Sequence, residues 1–155
     1  MSTLPWETEF VIAHTEILLR SHRQFTRRNL MMDIGDAQAQ ARLLYEAPFV
    51  VVSHGTEADP VLNYGNATAL DLWQMSREEL TRTPSRFTAE APEREERARL
   101  LAAVTANGFI DDYSGVRISK SGRRFRIARA TVWNLVDADG NPYGQAATFR
   151  EWAWL

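Results

Sequence analysis

RFRIARATVWNLVDADGNPYGQAATF, residues 124–149, is the stretch that decides the fold. From Arg124 to Val136 it is rich in β-branched and aromatic residues and has neither Gly nor Pro, so it reads as one long strand. Asp137-Ala138-Asp139-Gly140-Asn141-Pro142 is a turn, and Tyr143 to Phe149 returns as the last strand. Side chains alternate faces along a strand. Phe125, Ile127, Thr131, Trp133 and Leu135 share one parity and should face the core together. Arg129 falls on the same parity, and an arginine there needs a partner, because burying an unpaired guanidinium is costly. Three readings follow. It anchors an anionic ligand group bidentately, it pairs with Asp111 or Asp112, or a β-bulge turns it outward.

The neighbouring sequence extends the sheet. Phe109 to Tyr113 is a strand, continued by Val116 and Ile118, and Lys120-Ser121-Gly122 turns it into the long strand. Pro92 opens a longer helix with Leu100, Leu101 and Val104 on its apolar side, and Gly108 closes it. Its charged run, Glu93 to Arg99, reads as a solvated face. Asn66 can cap a helix carrying Ala67, Leu70 and Trp73, and Ser76 with Glu79 fits a capping box. Phe49 to Ser53 and Val61 to Gly65 read as a hairpin around the turn His54 to Pro60. In front lie two amphipathic helices, over 6–26 and about 36–46, separated by Gly35 and stopped by Pro48. The expected division is a helical arm over 1–47 and a mixed domain over 48–155.

Composition narrows the function. The 155 residues are 45% hydrophobic and 25% charged, which suits an ordinary globular chain. A net charge of −2 argues against a nucleic-acid partner. There is no cysteine, so disulfides, thiolate metal sites, cysteine nucleophiles and a cysteinyl–flavin photoreceptor are all excluded. Met1 to Glu7 lacks a basic and an apolar region, and the longest apolar runs, such as Ala47 to Val52, are far too short for a membrane span. A cytoplasmic protein with no membrane partner is expected.

The element order strand–strand–short helices–longer helix–three strands resembles a PAS domain. Asn63 to Trp73, Met75 to Leu80, Ser121 to Phe125 and Asp137 to Gly140 resemble its local text. Leu44 to Gly55, Asp59 to Asn66, Gly108 to Arg117 and Thr131 to Leu135 are similar to the bacterial MEKHLA domain proteins, a PAS-like family. The resemblance implies an α+β fold, a five-stranded antiparallel sheet with helices on one face, preceded by the helical arm. It also implies a sensing or dimerisation role without a reaction. The family occurs at the C-terminus of plant homeodomain–leucine zipper regulators, where DNA reading would belong to a homeodomain that this sequence lacks.

Two functional readings result. In the first, a small-molecule ligand occupies a cavity between sheet and helices, lined by Trp73, Phe87, Phe109, Tyr113, Phe125, Arg129, Trp133 and Gln145, with His54 as a polar lining residue. The plain alternative is that these aromatics simply fill the core. In the second, the first helix uses Val11, Ile12, Leu18 and Leu19 to form a homodimer, unless it caps its own sheet. No catalytic residues are expected. Asp111 and Asp112 are strand neighbours and point to opposite faces. His14 and His22 alone are too few for a metal, and no nucleophile-elbow, phosphate-loop or dinucleotide motif is present. The cofactor is left open: the helix over 92–107 offers no histidine to a haem, while a flavin held without a covalent bond stays compatible with the sequence.

Overall fold

A computed structural model describes residues 4–155. After a short 3₁₀ turn come α1 (Glu9–Thr26) and α2 (Ala37–Tyr45), the two helices of the arm. β1 (Val50–His54) and β2 (Leu62–Gly65) follow, then α3 (Ala67–Trp73), α4 (Arg77–Leu80) and α5 (Ala91–Asn107). β3 (Phe109–Ile118), β4 (Arg124–Val136), β5 (Pro142–Phe149) and β6 (Glu151–Trp154) complete the chain. Asn66 and Ser76 cap their helices as expected, and Ser76 with Glu79 closes the capping box; Asp36 caps α2, and Thr8 caps α1, which starts at Glu9 rather than at residue 6. No helix among the described residues is long and apolar enough to cross a membrane.

The antiparallel sheet runs β2-β1-β5-β4-β3, with β6 also paired to β4. β6 lies beyond the strand end expected at Phe149. It keeps the register of β5: Thr131 faces Thr148 and Ala128 faces Glu151, so β5 and β6 are one strand interrupted at Arg150.

The interruption lies opposite Arg129, which has φ 54°, in the left-handed region. β4 carries an extra residue here relative to β3, while β3 carries a compensating one at Asp112, φ 56°. The bulge changes the phase of β4. Phe125 and Ile127 face α3 and α4 before it, and Ala130 does so after it, while Trp133 and Leu135 face the arm. The expectation that Phe125 and Trp133 share a face is therefore corrected. A straight parity count fails across an inserted residue.

Both faces are thereby covered. α3, α4 and α5 pack on the inner face, and the arm packs on the outer one. Val11, Leu18, Ala41 and Leu44 join Val51, Tyr64, Trp133, Leu135 and Ala146 in one cluster. His22 meets the Trp133 indole edge-on at 4.9 Å. Ser21 Oγ donates to the Val136 carbonyl at 3.2 Å and accepts from its N–H at 3.0 Å, fixing the helix along β4. Of the apolar residues expected to stay uncovered on α1, Val11 and Leu18 are buried here, and Ile12 and Leu19 are half-buried.

Asn66 joins the two layers. Its fully buried amide donates to the carbonyls of Leu44 (3.0 Å) and Phe49 (2.8 Å), and its Oδ1 accepts from the N–H groups of Val51 and Ala69, both 3.1 Å. One side chain thus satisfies the end of α2, the start of β1 and the start of α3. Asn66→Ala strands several buried backbone groups at a cost of about 1–3 kcal/mol for the worst of them, besides about 1 kcal/mol for the lost cap. We expect a total of about 3–5 kcal/mol, read as a lowered midpoint in urea with an unchanged slope; a loss under about 1 kcal/mol would mean that water replaces these bonds.

Candidate functional site

The inner face is not filled completely. β1 contributes Val52 and His54, β5 contributes Gln145, Ala147 and Phe149, and β4 contributes Ile127 and Val132 to the walls of a cavity. Trp73, Leu100 and Leu101 close it from the helices, and Ser85 and Thr88 come from a 3₁₀ turn at Ser85–Thr88. Its volume is about 60 Å³. That is far below the roughly 300–1,000 Å³ of drug-sized ligand sites, and is room for about four or five waters or for a molecule of a few heavy atoms.

A chain of hydrogen bonds lines one wall. Gln145 Nε2 donates to the Leu101 carbonyl and to Asn134 Oδ1, each at 3.1 Å, so its Oε1 is left as an acceptor. His54 Nε2 lies 3.2 Å from that Oε1, and its Nδ1 lies 3.1 Å from Ser85 Oγ. The network assigns the proton to Nε2 and makes Ser85 the donor to Nδ1. His54 is thus held neutral. Burial, aided by the charge of Arg97, lowers its pKa to about 4.

The opposite wall is basic. Arg97 of α5 and Arg117 of β3 both line the cavity. Arg117 is buried, donating to the Val116 carbonyl at 2.8 Å and to Tyr113 Oη at 3.2 Å. Tyr113 in turn donates to Glu96 Oε2 at 2.8 Å. Gly115 stands between Tyr113 and Arg117 on the same side of β3. A Cβ there would lie 2.5 Å from Tyr113 Oη and 3.1 Å from Arg117 Nη1, so a larger residue would push that pair from its present positions.

Of the residues expected around a ligand, the structure brings His54, Trp73, Tyr113 and Gln145 together at this cavity. The others lie elsewhere. Phe125 is buried beneath Trp73, with ring centroids 5.3 Å apart. Trp133 and Phe109 pack with the arm on the outer face. Phe87 is 44% exposed, under the guanidiniums of Arg86 and Arg94. Arg129 points outward from its bulge and pairs at 3.5 Å with Glu151, while Asp111 is taken by Arg28 at 2.7 Å.

Arg97, Arg117, Ser85 and Thr88 line the cavity without having been singled out in the sequence. A signal for Arg97 existed: it stands three, four and seven residues before Leu100, Leu101 and Val104, on their face of α5, so the charged run is not solvated throughout. Arg117 carries the weaker signal of sharing the parity of Tyr113 on β3.

A second buried histidine ties the arm to the sheet. His14 Nε2 lies 2.8 Å from Ser53 Oγ, which donates to Asn63 Oδ1 at 2.6 Å. Ser53 and His54 are adjacent on β1, so one side chain meets the arm and the next meets the cavity.

Comparison with known proteins agrees with the fold. The MEKHLA domain family model matches residues 12–154. No curated protein sequence matches the chain. Among solved structures, the PAS domain of a protein from Colwellia psychrerythraea is similar at a TM-score of 0.64 and 14% identity, over 74% of this chain and 94% of that one. A fungal LOV-domain photoreceptor is similar at a TM-score of 0.59 and 18% identity, over 97% and 94% of the two chains. The PAS domain of a LuxR-family transcriptional regulator from Burkholderia thailandensis, solved in complex with ethanol, is similar at 0.53 and 17% identity, over 69% and 92%. At these identities the likeness is one of fold.

The histidines set a pH dependence. Burial lowers His14 and His54 to about 4 from 6.5, and lowers His22 as well. The unfolded chain therefore binds more protons than the folded one between about pH 4 and 6.5, and stability falls as pH falls through that window. His14 and His54 should each forfeit roughly 3 kcal/mol by pH 4. Urea midpoints measured from pH 7 to 4 should drop with a slope of about two protons or more; a flat profile would show that the folded histidines titrate normally.

Proposed function

The chain belongs to the MEKHLA domain family, and from its PAS fold we propose a sensory domain that holds a small molecule in the inner-face cavity and has no catalytic activity of its own. The observation that carries this reading is the cavity itself. It interrupts an otherwise packed core, and its walls combine apolar side chains with a few placed polar groups, as ligand sites do. A similar domain has been solved with a small molecule, ethanol.

The division into an arm over 1–47 and a domain over 48–155 then becomes functional. The cavity receives the signal, and the arm, bonded through His14 to Ser53 beside the cavity residue His54, carries it outward. The chain has no cysteine, so blue-light chemistry through a cysteinyl–flavin bond has no place in this reading.

A second reading has its own support. Leu4 and Phe10 beside and on α1 and Leu43 on α2 are exposed by 43–48%, and they could serve a homodimer or another protein partner without any ligand.

Native mass spectrometry of the purified protein, with thermal melting against a panel of small metabolites, tests the first reading. A co-purified or added molecule should raise the melting temperature by a few degrees, and Ala147→Leu, which fills the cavity, should abolish that rise. No bound mass and no shift across the panel would overturn it. Sedimentation of the full chain and of Phe10→Glu tests the second: a dimer made monomeric by the substitution supports it, and a monomer at every concentration removes it.

A further inference from the structure

We infer that the cavity takes a short-chain carboxylate, with its charged end at Arg97 and Arg117 and its apolar end against Val52, Ile127 and Val132. The inference deepens the sensory reading above and rests on it. Its basis is an imbalance. Two guanidiniums line the cavity, and no carboxylate does. Among the described residues the ion pairs use side chains that are each at least 40% exposed, and neither Arg97 nor Arg117 takes part in one. The protein thus pairs its exposed charges and leaves two sheltered ones without counterions, the costlier arrangement.

The neighbouring polar groups do not relieve it. Arg117 spends two N–H groups on the neutral Val116 carbonyl and Tyr113 hydroxyl. Glu96 is the acceptor of the Tyr113 hydroxyl and forms no ion pair with either arginine. The Arg97 side chain has no hydrogen-bond partner among the described residues. Burial first, and then the charge of Arg117, lowers its pKa to about 10, so the two cations feel each other. The Trp73 indole N–H is an unmet donor beside them: the residue lines the cavity, is 3% exposed and finds no acceptor among the described residues.

Size and polarity choose the anion. About 60 Å³ admits only a few heavy atoms. Two carboxylate oxygens at one end suit a bidentate guanidinium contact, and a methyl or ethyl tail suits the aliphatic wall. A phosphate would turn its remaining oxygens toward Ile127 and Val132, where no donor waits.

The test uses the full chain, labelled with ¹⁵N and with ¹³C methyl groups, titrated at constant ionic strength with propionate, propionamide, 1-propanol and inorganic phosphate. A ligand of about five heavy atoms reaches micromolar affinity at best, so titrations run to tens of millimolar. Propionate should move the Trp73 indole and Ile127 methyl resonances saturably. The two neutral probes and phosphate should bind at least tenfold more weakly. Arg97→Gln and Arg117→Lys should each weaken propionate by about ten- to a hundredfold. Arg97 has no internal bond to lose, so its variant decides the matter should the Arg117 variant fail to fold.

Neutral probes binding as tightly as propionate would overturn the carboxylate assignment and leave the cavity reading intact. So would phosphate giving the same shifts at equal affinity, which would mark a general anion site. Propionate binding unchanged in Arg97→Gln would place the acid elsewhere. No cavity resonance moving with any probe would sink the carboxylate outright, while the native-mass measurement judges the sensory reading separately.

Discussion

One inserted residue governs this molecule. Arg129 sits in a left-handed conformation that costs roughly 1–2 kcal/mol for a residue with a side chain. In return β4 changes phase in mid-strand. Its first half lends Phe125 and Ile127 to the inner core, and its second half presents Trp133 and Leu135 to the arm. Each large apolar side chain buried this way stabilises by about 1.5–3 kcal/mol, so the strain is offset several times over. The matching insertion at Asp112 lets β3 absorb the bulge and keeps Ile110 and Tyr113 on the inner side. Without the pair of bulges, β4 would send Phe125, Ile127, Trp133 and Leu135 to one face.

The same phase change leaves space on the inner face. Past the bulge, that face receives Ala130 and Val132 from β4 and Ala147 from β5, all small, opposite a helix whose facing residues are Arg97, Leu100 and Leu101. The void is a product of residue size, and the polar groups around it divide by charge. The wall at β1 and β5 is a neutral network fixed by Gln145 and His54. The wall at β3 and α5 is cationic, with Gly115 providing the room in which Tyr113 and Arg117 meet.

Much of this was legible in the sequence. The caps Asn66 and Ser76, the hairpin at Phe49–Gly65 and the long strand all follow from local chemistry, and local chemistry is what a sequence states directly. The bulge is different. Arg129 carried three readings because an inserted residue leaves no compositional mark, and it took the pairing with β3 and β5 to choose among them. That one ambiguity displaced Trp133 from the expected cavity. β6 escaped for a related reason: Glu151–Trp154 is too short to show alternation and gains its strand character only from β4. The cavity was sought among aromatics, although aromatics fill space and the residues that border space here are small or polar. Arg97 was hidden inside a charged run whose members face different ways.

The docking of α1 has a consequence for how the chain is made. The helix leaves the ribosome before the sheet it packs on, and part of the surface that covers it is built from Trp133, Leu135 and Ala146, far downstream of it. Ser21 cannot reach Val136 until 115 further residues exist. At roughly 5–20 residues per second, α1 waits several seconds or more for its partners on β4, with α2 alone able to cover part of it sooner. The links around Asn66, spanning 15–22 residues, can close long before that. Cotranslational assembly should therefore close around Asn66 early, with the seating of α1 on β4 among its late steps.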